Sequence, residues 1–145
     1  MQTIQPHGGT LINRLVPEAQ REDWLNKAKE LPSIRINKWT ISDIDLIAIG
    51  AFSPLTGFMN ESDYNSVLDT MKLSNGLVWS IPITLPVEEA DRSNLKVGGQ
   101  VALIGDHDDV VYAILDVESI YSVDQKAEAV KVYKTDEVEH PGVQK

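Results

Sequence analysis

Ser53 is the first side chain to test for chemistry. It lies in "GAFSPLTGFM", residues 50 to 59, a loop rich in apolar side chains. A nucleophilic serine needs a sharp glycine-flanked elbow and a base within reach. No glycine flanks Ser53 at elbow spacing and no histidine is near it in sequence. A serine directly before a proline more often caps a turn by bonding its own backbone, and that role is expected here. The three histidines are His7, His107 and His140, and none stands at HxH or HxxxH spacing. No local histidine metal pair follows. His107 sits in the acidic run "GDHDDV", where Asp106, Asp108 and Asp109 have the hard oxygens a divalent cation takes. The run is too short for a calcium-binding loop, so a solvated hairpin turn is expected.

The pair Gly8–Gly9 in "HGGT" could offer backbone N–H groups to an anion, but such a pair more often lets a chain bend near its terminus. Asn13 and Arg14 follow. A carboxylate bridge from Arg14, within the domain or across an interface, fits equally. The sequence has no GxxxxGK[ST], GxGxxG or GxSxG string. Read from the residues alone, no catalytic constellation emerges.

The composition narrows the remaining classes. The chain has 145 residues, 42% hydrophobic and 24% charged, enough for a buried core. There is no cysteine, which excludes disulfides and thiolate metal sites and fits a reducing cytoplasm. No apolar run approaches the ~20 residues that span a bilayer. The start, "MQTIQPHGGT", lacks the basic and apolar regions of a signal peptide. Thirteen Lys and Arg against 22 Asp and Glu give a net charge of −9. Nucleic-acid binding, which needs a basic face for phosphates, is disfavoured, as is electrostatic capture of a small anion.

The elements that would position these residues read as α+β. "TLINR" is a candidate edge strand, ended at Pro17. "EAQREDWLNKAKEL" is a helix with Trp24, Leu25, Ala28 and Leu31 on one face. "SIRINKW" alternates, which puts Ile34, Ile36 and Trp39 on one side of a strand. Ser42 and Asp45 form a capping-box pattern for a buried helix over 43–49, with Gly50 as its terminal cap. Asn60 caps the next helix, and Tyr64, Val67, Leu68 and Met71 form its stripe. "LVWSIPITLPV" alternates as a strand over 77–85, with Pro82 marking an edge or bulge. "EEADRSNL" is a short helix or loop. "KVGGQVALIGDHDDVVYAILDVESIY", residues 96–121, reads as a hairpin: a strand, a polar turn at "GDHDD" and a long second strand from Val110 to about Tyr121. Asp124 caps a last helix with Ala129, Val130 and Tyr133 on one face.

Four segments, "PHGGTLINR", "GAFSPLTGFMNESDY", "LSNGLVWSIPITLPV" and "VYKTDEVEHPGV", occur in this order and cover nearly the whole chain. Together they resemble the N-terminal region of the sulfate adenylyltransferase (ATP sulfurylase) family of bacterial and fungal type. The resemblance implies a PUA-like pseudo β-barrel with packed helices over residues 1–145. Residues from about 136 to 145 would lead toward a catalytic domain. The whole enzyme would join MgATP and sulfate to give adenosine 5′-phosphosulfate and pyrophosphate, would lie in the cytoplasm, and would assemble as a homo-oligomer. The family's QTRNPxHxxH-like and GRDHAG-like segments are absent from this sequence. No catalytic, nucleotide, sulfate or metal residue therefore carries over, no cofactor is expected in this chain, and the chain alone is expected to be inactive. The interface candidates are His7, Asn13, Arg14, Phe52 and Phe58; the loop reads as a packed connection in which Phe52, Leu55, Phe58 and Met59 bury against the barrel or against the neighbouring catalytic domain. Two other readings stand beside this one: a free-standing PUA-like module for RNA or protein, and a truncated accessory copy acting with a full-length enzyme.

Overall fold

The structure, a computed structural model, describes residues 4–123 and 125–133. Five helices, α1 (Arg21–Glu30), α2 (Lys38–Ala48), α3 (Glu61–Thr70), α4 (Glu89–Arg92) and α5 (Gln125–Tyr133), accompany three strands, β1 (Ser33–Ile36), β2 (Gln100–Gly105) and β3 (Val111–Asp116). The chain divides into two compact units that alternate along the sequence. Unit 1 comprises residues 1–58 and 85–118; unit 2 comprises residues 59–84 and 119–145.

Unit 1 is built on the sheet, whose order is β1-β2-β3. The central strand β2 pairs in parallel with β1, from Ser33 opposite Ala102 to Ile36 opposite Gly105. Its other edge pairs antiparallel with β3, with an irregularity between Leu103 and Ile104. Val101, Ala102 and Leu103 are consecutive, point alternately to opposite faces, and are all buried, so both faces of this central strand are covered. On β1, only Ile34 and Ile36 are buried, the period-two pattern of a strand with one covered face. Ile34, Ile36, Val101, Leu103 and Val117 form the core, with Ile41 and Ile44 of α2, Phe58, Leu85 and Leu95 packed on it.

The expected helix over 43–49 begins earlier. Asn37 is its cap, its side-chain oxygen accepting from the Thr40 N–H at 3.0 Å. Ser42 lies inside α2 and donates to the Lys38 carbonyl, so Ser42 and Asp45 form no capping box. With Asn37 turning the chain out of β1 into α2, Trp39 is helical and exposed, not a third strand residue. The edge strand expected before Pro17 is absent among the described residues; that segment is extended or turning without a ladder.

Unit 2 pairs α3 with α5. Asn60 caps α3 as expected, accepting from the Asp63 N–H at 2.8 Å. Tyr64 and Val67 are buried and Leu68 is half-buried, but Met71 is the left-handed terminal residue, φ 55°, and is largely exposed. The strand expected over 77–85 forms no ladder; only an isolated bridge joins Lys72 and Val78. Pro82 and Pro86 lack the N–H groups a ladder requires. Ile83 is nonetheless buried, and its carbonyl accepts from the Met59 N–H at 2.8 Å. The long strand expected from Val110 to Tyr121 is shorter, ending at Asp116. The Asp124 cap lies outside the described residues.

The α+β expectation therefore stands. The sheet, however, is an open three-stranded one among the described residues, not a closed pseudo β-barrel. The outer edges of β1 and β3 find no further strand among the described residues.

Candidate functional site

The loop after α2 explains Ser53. Gly50 follows the α2 terminus at φ +86°, and a Cβ there would lie 2.3 Å from the Ile12 carbonyl oxygen. No larger residue fits that approach. The chain then turns through Phe52 N–H to Leu46 O and Ser53 N–H to Gly50 O. Ser53 is buried; its hydroxyl donates to the Gly50 carbonyl at 2.6 Å and accepts from the Ile12 N–H at 2.9 Å. With both roles of the hydroxyl taken by backbone, Ser53 fastens the N-terminal segment to the loop. The peptide bond before Pro54 is cis. Leu55 and Met59 are buried, while Phe52 and Phe58 are half-buried; Phe58 packs on the unit 1 core.

The other sequence candidates are exposed. His7 lies in a turn closed by the Gly9 N–H donating to the Pro6 carbonyl at 2.8 Å. Asn13 accepts from the Leu15 N–H at 3.0 Å through its side chain, which fixes the local bend. The Arg14 N–H donates to the Ala48 carbonyl at 2.9 Å, holding this segment against the end of α2. Its guanidinium is exposed and has no carboxylate partner among the described residues. The structure thus brings Asn13 and Arg14 to the end of α2, with the Gly50–Phe58 loop tied to the same segment through Ser53.

The acidic run is the hairpin turn between β2 and β3. Asp108 accepts from the Val110 N–H at 3.1 Å and from the Tyr112 hydroxyl. These bonds, the tyrosine's above all, hold its carboxyl below the usual range, with His107 adding a smaller charge effect. The same bond pushes the Tyr112 hydroxyl upward. Gly105 leaves room for this arrangement: a Cβ there would lie 2.1 Å from Asp108 Oδ1. Arg35 of β1 donates to the Gly105 carbonyl at 3.2 Å and pairs with Asp109, which sits at φ 57°. The acidic side chains are spent on shaping the turn. Among the described residues no group of three His, Asp or Glu is placed to hold a metal ion.

Sequence reasoning missed the polar joint of unit 2. The buried Tyr64 donates to Glu128 at 2.6 Å, and its ring lies 5.2 Å from that of Tyr121, tilted by 45°. Tyr121 donates to the Met59 carbonyl at 2.8 Å. Burial first, then the charges of Glu128, Glu61 and Asp63, push its hydroxyl up to about 12. Lys131 and Asp69 add an exposed ion pair at 2.7 Å. Tyr64 and Glu128 stand 64 residues apart, so no local pattern reveals them.

Among the described residues no helix is long and apolar enough to cross a membrane. The chain is 49% identical over 141 residues to a sulfate adenylyltransferase of Nostoc punctiforme, covering 97% of this chain and 36% of that protein. A sulfate adenylyltransferase of Halothermothrix orenii is 49% identical over 140 residues, covering 97% and 37%. The chain thus spans about a third of the length of these relatives, matching them as their N-terminal portion. Among solved structures, a hexameric APS kinase from Thiobacillus denitrificans superposes with a TM-score of 0.74 at 32% identity, over 83% of this chain and 24% of that one. The PUA-like domain family matches residues 4–145, and the chain belongs to that family.

Proposed function

We propose that the chain is the non-catalytic N-terminal support domain of a sulfate adenylyltransferase. The observation that carries this reading is the 49% identity that runs through 97% of the chain. In this reading residues 1–145 are one module, and residues from about 136 onward lead to the catalytic portion. That portion binds MgATP and sulfate, and sulfate oxygen attacks the α-phosphate to release pyrophosphate. The enzyme serves sulfate assimilation in the cytoplasm as a homo-oligomer. The chain's own chemistry supports a supporting role: Ser53 is engaged with backbone, and the acidic turn is engaged with itself.

The test is sulfate-dependent pyrophosphate release. The 145-residue chain alone is expected to give none. Exchanged for the matched portion of the Nostoc punctiforme enzyme, it is expected to support turnover. Turnover by the chain alone, or a folded chimera without turnover, overturns the reading.

A further inference from the structure

Four large apolar side chains are exposed on two stretches of unit 1 that run side by side, residues 11–16 and the end of α2. Leu11 is 63% exposed, Leu15 58%, Val16 49% and Ile49 56%. The two stretches are held together by the Arg14 N–H bond to Ala48 O, and Leu11 lies so close to Gly50 that a Cβ there would meet its side chain. The backbone beneath them is fixed by the Asn13 side chain at Leu15 N–H and by Ser53 at Ile12 N–H. The strip is therefore preformed, and exposed apolar groups clustered in this way mark an interaction surface. Arg14 projects from the same strip without a carboxylate partner among the described residues, in a chain of net charge −9. An occupant must then bring apolar surface and a carboxylate of its own.

We propose that this strip is the seat of the remaining portion of a polypeptide of sulfate adenylyltransferase length. The proposal rests on the reading of the chain as the N-terminal portion of such an enzyme. About two thirds of each such relative lies outside the matched share, which supplies an occupant in the same molecule at high effective concentration. The aliphatic side chains form the dry centre of the contact, and Arg14 pairs with a carboxylate at its margin.

Hydroxyl-radical footprinting tests this on the 145-residue chain and on the chimera with the Nostoc punctiforme enzyme. Modification of Leu11, Leu15 and Val16 is expected to be about tenfold slower in the chimera, as in a water-excluding contact. Arg14→Glu in the chimera is expected to restore much of the rate, while Arg14→Lys keeps the protection. An equal rate in chimera and isolated chain overturns the proposal. So does protection already present in the isolated chain: if it grows with concentration a second copy is the occupant, and if not the chain's own terminal residues are. Protection indifferent to Arg14→Glu overturns the assigned carboxylate. A protected chimera that releases no pyrophosphate counts against the proposed function while leaving the seat in place.

Discussion

In unit 1, Val101, Ala102 and Leu103 lie consecutively buried on the strand between two ladders, and the core around Val101 and Leu103 is mainly aliphatic, with the Phe58 and Tyr112 rings packed against it. In unit 2, two helices meet through phenol rings and a carboxylate: Tyr64 on Glu128, with Tyr121 beside it. Both arrangements bury their centres, but they respond to different insults. Aliphatic burial is indifferent to pH and salt and sensitive to lost volume. A tyrosine–carboxylate joint tolerates small volume changes and is sensitive to ionisation.

The sharpest way to break unit 1 is Leu103→Ala. Leu103 is 1% exposed in the central strand, so a loss of about 3 kcal/mol is expected, read as a lowered denaturation midpoint. A midpoint within error of the parent would deny the sheet core its assigned role. Phe58→Ala follows, at about 2 kcal/mol, because its ring is only half-buried where it packs on that core.

Unit 2 is probed by alkali. The Tyr121 hydroxyl is raised from its ordinary 10 to about 12, so the unfolded chain gives up this proton first. Its contribution is intact below about pH 10 and is lost as pH rises toward 12. Allowing for solvent screening of a half-exposed group, that loss is about 1 kcal/mol. Tyr121→Phe is expected to flatten this part of the stability–pH curve, whereas Leu103→Ala shifts the curve without changing its slope. The smallest effect belongs to Lys131→Ala. Its exposed pair with Asp69 is expected to contribute at most about 0.5 kcal/mol and to fade in high salt.

The parts legible in the sequence were those decided within a few residues. Asn60 with its acidic first turn marked α3, and Tyr64 and Val67 marked its buried face. Ser53 directly before Pro54 marked a hydroxyl that bonds its own turn, and it does bond the Gly50 carbonyl, although its bond to Ile12, 41 residues away, had no local signal. Where two local patterns competed, the weaker reading was misleading. Ser42 and Asp45 imitate a capping box, but Asn37 follows β1 directly and starts α2 one turn earlier. Alternation over 77–85 imitates a strand, yet a ladder needs a neighbour and backbone donors, and the prolines remove donors. The same limit hid the contacts that shape the acidic turn, where Arg35 reaches Asp109 across 74 residues. The apolar strip at Leu11, Leu15, Val16 and Ile49 looks in sequence like ordinary core, and only the fold leaves it outside.

The alternation of the two units along the chain has a consequence for synthesis on the ribosome. β1 is complete at Ile36, but its partner β2 begins at Gln100, and α3 at Glu61 is made before that partner exists. For more than sixty residues of elongation, the nascent chain carries Ile34 and Ile36 without the strand that covers them. α3 waits in turn for α5, whose first residue is Gln125. Neither unit can close before the other has begun, so a chain arrested near residue 90 leaves both incomplete, unit 1 without β2 and β3 and unit 2 without α5. Such an arrested chain would be a substrate for chaperones and proteases, whereas one extending past α5 contains every strand and helix described for the two units.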